Sequence, residues 1–159
     1  MIYGDPFYFA LQFDVVEHWS SPGDIWKNGL FSLYLDGRRI FDVVDVFELK
    51  TTFGFYSKSP VDGLIVNDLI VDAVTLYRNA ESYFTGDGDV LIDGLFDLTC
   101  TAMGDNGYYL YFMKTSSSDR LVWSIDDGKE IHEVLLPSGT ICNVINDLRD
   151  VKLIKNPGP

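Results

Sequence analysis

Residues 85 to 97 read TGDGDVLIDGLFD, four aspartates and three glycines in thirteen positions, an oxygen-rich stretch of the kind that holds a hard cation such as calcium. An EF-hand loop needs oxygen ligands at positions 1, 3 and 5, glycine at 6 for its sharp turn, and a bidentate carboxylate at 12. Counted from Asp87, position 3 is Asp89, but positions 5, 6 and 12 fall on Leu91, Ile92 and Leu98. The stretch is therefore read as two turns, Gly86-Asp87-Gly88 and Asp93-Gly94, flanking a short Val-Leu-Ile run, and no metal site is assigned.

The remaining chemistry-bearing residues are few. His18 sits beside Glu17, and His132 lies near Glu130 and Glu133; on a strand His132 shares a face with Glu130, and no second histidine completes a zinc set. Both are read as structural. Cys100 and Cys142 have no spacing that suggests zinc or redox chemistry and are read as thiols of a reducing cytosol. The chain contains no G-x-S-x-G elbow, no G-x-G-x-x-G turn and no phosphate-binding G-x-x-x-x-G-K-[ST] loop, so no catalytic or cofactor-binding residue is named. A hydrolase stays open only through paired carboxylates, whose separation is a three-dimensional quantity.

What the sequence has in excess is negative charge. Its 24 acidic and 12 basic side chains give −12, which argues against nucleic acid as a ligand, since phosphate neutralisation needs clustered cations. Pro60 to Met113 alone carries nine acids and one base, Arg78. Such a stretch is either solvated surface or a docking face that steers a basic partner. The N-terminus MIYGDPFYFALQF has no cationic n-region, and nowhere do eighteen apolar residues run together; a cytoplasmic, unprocessed protein without membrane attachment is expected.

The elements that would carry these residues follow from periodicity. With 47% hydrophobic and 14% aromatic residues the chain is globular, and its 159 residues suit a single domain, 1–159. Phe7 to Val16 alternates as a strand, Leu30 to Leu35 is a second, and Asp36-Gly37 turns it into a hairpin returning over Ile40 to Val44. Between Pro60 and Ser82, Ile65, Leu69, Ala73, Leu76, Tyr77 and Ala80 follow helical spacing, predicting an acidic amphipathic helix, although the β-branched Ile65, Val66, Ile70, Val71, Val74 and Thr75 also suit a strand. Runs Leu95–Met103, Gly107–Lys114, Leu121–Asp126 and Glu130–Leu136 predict a four-stranded meander whose Gly107–Met113 strand is covered on both faces. A last helix begins near Ser138 or Thr140 as cap, buries Ile141, Val144, Ile145, Leu148 and Val151, and ends at Asn156-Pro157-Gly158-Pro159. The expected fold class is α+β: a mostly antiparallel sheet with one or two packed helices.

The opening Gly4-Asp5-Pro6-Phe7-Tyr8-Phe9-Ala10, with Phe13-Asp14-Val15-Val16, Asn28-Gly29-Leu30-Phe31 and Leu35-Asp36-Gly37, resembles the immunity protein 42 family. So do Asp105-Asn106-Gly107-Tyr108-Tyr109, the strand with Trp123, and Glu133-Val134-Leu135-Leu136-Pro137 before the last helix. The resemblance implies a small, non-enzymatic bacterial protein that binds and neutralises a cognate toxin domain encoded beside it, in a polymorphic or contact-dependent system. It carries over no site residues. The toxin-facing patch is assigned from charge to Asp62, Asp68, Asp72, Asp87, Asp89 and Asp93, facing a basic toxin. The alternative is a small-molecule or carbohydrate-binding module built on the tyrosines between residues 108 and 111.

Overall fold

A computed structural model describes residues 1–151. Two antiparallel sheets organise it: β1 (Ile2–Asp5), β2 (Phe9–Val15), β3 (Asn28–Leu35) and β4 (Arg38–Phe41) in that order with β5 (Phe47–Glu48) also on β3, and β6 (Leu95–Asp97), β7 (Tyr109–Lys114), β8 (Ser118–Ser124) and β9 (His132–Pro137) as a meander. The helices are α1 (Leu49–Ser57), α2 (Ala73–Thr85), α3 (Thr101–Gly104) and α4 (Thr140–Arg149). This is the α+β class expected. The chain divides into two compact units, Met1–Ser59 with the chain from Cys142, and Pro60–Ile141.

In the first unit, β2 and β3 pair so that Leu11 faces Leu33 and Phe13 faces Phe31, and α1 lays Phe53 and Tyr56 on these rings at centroid distances of 5.3 and 5.9 Å. Asp36 (φ 53) and Gly37 (φ 75) both take positive φ, the type I′ geometry that matches strand twist. The strand expected from Phe7 starts later. Asp5 Oδ1 accepts the Phe7 amide and Asp5 O that of Tyr8, folding Pro6–Tyr8 into a turn that leaves Phe7 76% exposed. Gly4 has φ +92, and a Cβ there would meet Phe9 O and lie 2.7 Å from Val144 Cγ2, so a side chain could not be accommodated. Helix α1 had no signal of its own beyond Glu48, whose carboxylate accepts from the Lys50 and Thr51 amides at 3.0 and 2.6 Å. At its other end Arg149 of α4 donates to Ser57 O and Ser59 O.

The second unit holds the meander. Helix α2 buries Leu76, Tyr77 and Ala80 against Leu95, Tyr111, Met113 and Val122, and Leu110 to Met113 of β7 are fully buried, so both faces of that strand are covered. The helix expected from Pro60 to Ser82 is corrected: Val61–Gly63 is a 3₁₀ turn, residues 64–72 are irregular, and only from Ala73 is the chain helical. The physical reason is local competition. The Asn67 side chain accepts the Leu69 amide and Asp72 accepts the Thr75 amide at 2.6 Å, so one residue closes an Asx turn and the other caps a helix that starts after it.

Helix α4 buries Ile141, Val144, Ile145 and Leu148, but Val151 lies beyond it and is 37% exposed. Instead of a Ser138 or Thr140 cap, the buried Asp119 of β8 accepts from Ile141 N at 2.8 Å and Gly139 N at 3.2 Å, while Thr140 Oγ1 donates to Pro137 O. The stop expected at Asn156–Pro159 lies outside the described residues.

Candidate functional site

The second unit contains 14 acidic and four basic side chains, −10 of the chain's −12. Two of the four cations are engaged internally. Arg78 bonds Gly128 O at 2.6 Å and Glu81 at 3.0 Å, and Arg120 bonds Glu133 at 2.7 Å and Val71 O at 2.6 Å.

All six aspartates named from sequence are exposed. Asp62 is in the 3₁₀ turn. Asp68 and Asp93 lie close in space because Asn67 Nδ2 donates to Asp93 O at 2.8 Å, and Asp68 accepts from Ser116 N and Oγ at 2.8 and 3.1 Å. Asp72 caps α2, and the hydrogen bonds from Thr75, with a smaller contribution from the Arg120 guanidinium, hold its carboxyl below the usual range. Asp87 and Asp89 follow the other end of α2, where Gly88 N bonds Ser82 O. A 13-residue helix spans about 20 Å, and a standard interface of roughly 800 Å² per partner is about 30 Å across, so both ends fit one footprint. Among the described residues the carboxylates of Asp87, Asp89 and Asp93 make no hydrogen bond or ion pair.

Asn67 and Arg120 were missed by sequence reasoning. Asn67 N donates to Lys114 O at 2.9 Å, and with Asn67 Nδ2, Asp68 and the Arg120–Val71 contact it fastens residues 67–71 along the sheet. The Asn67-Asp68 pair, a turn-former inside a supposed helix, was the available signal. Gly94 lets the segment pass: at φ +82 its absent Cβ would stand 2.9 Å from Ile65 O.

The other candidates resolve into packing. Tyr111 is wholly buried, 5.3 Å from the Tyr77 ring and stacked on Phe84, so among the tyrosines between 108 and 111 only Tyr108 and Tyr109 reach the surface, and those in part. His132 stacks on Trp123 at 5.4 Å, and Glu130 precedes β9, so the shared strand face expected for them does not form. His18 borders an open cleft of about 490 Å³ with Glu17, Ser20 and Lys27. Among the described residues no three His, Cys, Asp or Glu side chains gather as metal ligands would, and no helix is long and apolar enough to cross a membrane.

The family model described as Immunity protein 42 matches residues 1–151. The fold is similar to the crystal structure of CdiI from Burkholderia dolosa AUO158, with a TM-score of 0.75 and 21% identity over 93% of this chain and 97% of that one. No curated protein matches the chain.

Proposed function

The chain belongs to the immunity protein 42 family, and on that premise we propose that it binds a cognate bacterial toxin domain in the cytoplasm and neutralises it by occupation, without chemistry of its own. The family match runs through both compact units, which supports reading the chain as one immunity domain. The observation that carries the charge-led mode of binding is the −10 on the second unit, together with three carboxylates, Asp87, Asp89 and Asp93, that support no element of the fold. A cationic toxin surface, such as one that itself engages phosphates, is drawn to such a patch and held in register by it.

The test has two stages. The C-terminal domain of the large protein encoded immediately upstream is induced in bacteria with and without this chain; killing that the chain relieves supports the reading, and killing that it does not relieve removes it. The double reversal Asp87→Lys, Asp89→Lys should then slow association and flatten its salt dependence, because exposed charges act mainly on the encounter within a Debye length of about 8 Å. An unchanged on-rate takes that loop out of the interface.

A further inference from the structure

The segment between the 3₁₀ turn and α2 is fastened through its polar residues and presents its apolar ones to solvent. Asn67, Asp68 and the Val71 carbonyl are tied to Lys114, Asp93, Ser116 and Arg120. Meanwhile Ile65, Val66, Leu69, Ile70 and, one turn into α2, Val74 are 56, 57, 44, 98 and 53% exposed. These five side chains fall within ten residues and expose a few hundred Å² of apolar surface, the size of the largest apolar patch on a typical monomer, which is often functional. Ile70, 98% exposed, contributes almost no burial to stability. The backbone beneath is already ordered, so burying these residues against a partner costs little further conformational entropy.

The surrounding charge selects the occupant. Asp68 and Asp72 stand among the aliphatic residues, on a unit of charge −10. A second copy of the chain would set these carboxylates against their own kind, and anionic membrane or nucleic acid would be repelled in the same way. A protein surface with an apolar centre and a cationic rim satisfies both features.

We propose that residues 65–74 form the anchor of the toxin interface, with Ile65, Val66, Leu69 and Ile70 buried against the toxin and the aspartates around them setting its charge preference. This rests on the immunity reading and assigns the two parts separate kinetic roles. Apolar anchors at the centre of an interface govern dissociation, and rim charges govern association.

The experiment measures binding kinetics of the full chain to that upstream-encoded toxin domain. Ile70→Ser and Leu69→Ser should each speed dissociation by about 10-fold or more while leaving association within about 2-fold; the thermal midpoint of the free chain should be unchanged for Ile70→Ser and lower for Leu69→Ser, whose side chain is only 44% exposed. Trp26→Ser, at an exposed aromatic of the first unit, should leave both rates unaltered. Hydrogen exchange on the wild-type complex should show protection over residues 64–74, a readout that needs no substitution. If wild type neither binds nor protects cells, the immunity reading fails. If wild type binds tightly but the serine variants match it and the segment gains no protection, the anchor is overturned and the reading survives. Self-association of the free chain that Ile70→Ser abolishes would overturn it as well, by showing a second copy as occupant.

Discussion

Arg120 should control both stability and the anchoring segment. Its Nε donates to Glu133 Oε2 at 2.7 Å across the β8–β9 pair, and its Nη2 donates to Val71 O at 2.6 Å. The arginine side chain is 11% exposed and its glutamate 35%, so the ion pair lies between a surface pair worth about 0–1 kcal/mol and a desolvated one. The charge-assisted bond to the carbonyl adds roughly 1.5–3 kcal/mol. Replacing Arg120 with methionine keeps most of the aliphatic packing and removes both, for an expected loss of about 2–3 kcal/mol. At about 2–4 °C per kcal/mol for a chain of this size, the midpoint should fall by roughly 4–12 °C. The loss should also be local: freed at Val71, the segment should exchange its Asn67 and Leu69 amides faster than those of β7. Arg120→Lys retains charge but not the fork that reaches two acceptors at once, and should fall between. Differential scanning calorimetry and amide exchange measure the two effects. A midpoint within about 2 °C of wild type with unchanged exchange would refute the idea that this guanidinium holds the segment.

Other outcomes follow from single buried groups. Among the described residues the buried Tyr111 hydroxyl finds no hydrogen-bond partner, and Tyr111→Phe should leave stability equal or raise it by up to about 1 kcal/mol in urea unfolding; a loss of stability instead would reveal a bound water. Asp119→Ala strands the Ile141 and Gly139 amides and should cost about 3 kcal/mol, with Asp119→Asn losing less because one acceptor oxygen remains. Burial pushes the Glu48 carboxyl up, but hydrogen bonds from Thr51 and the Lys27 and Lys50 amides outweigh it and leave it below its usual value. A carboxylate lowered in the native state stabilises above its unfolded pKa of about 4.3, and that contribution is lost as pH falls through the lower native value. Glu48→Gln should therefore soften acid unfolding while costing about 1 kcal/mol at neutral pH.

The sequence reading succeeded where local signals agreed with tertiary demands. Asp36-Gly37 is a turn dipeptide at the hairpin it predicts, and the 141–148 stripe of α4 is buried as its spacing requires. It failed where one spacing served two structures. Ile65, Leu69, Ala73 and Leu76 recur at intervals of four and three, which is helical, yet only the last two lie in α2; the first two are displayed by an irregular segment. Helix α1, LKTTFGFYS, is rich in β-branched and aromatic residues with a central glycine, a composition of low intrinsic helix propensity, and it owes its stability to rings packed on β2 and β3. The acidic residues were legible as charge, but the exposure of Ile65, Val66, Leu69 and Ile70 was not, because sequence shows that a residue is aliphatic and not whether the fold covers it.

The division of labour within the second unit has a consequence for how its surface can be probed. Asp68 and Asp72 serve both fold and surface: one receives the Ser116 amide and the other starts α2, so reversing either confounds binding with stability by a cap's worth, about 1 kcal/mol. Asp87 and Asp89 carry surface charge alone, and Ile70 carries exposed apolar area alone. Changes at these positions leave the native contacts intact, so their effects on association and dissociation should add independently if charge and anchor act at different stages of binding. A triple variant combining Asp87→Lys, Asp89→Lys and Ile70→Ser should then show the product of the separate rate effects. A rate loss much smaller than that product would mean that the two features act on the same step, and that the aspartates lie against the toxin beside the aliphatic residues rather than steering it from the rim.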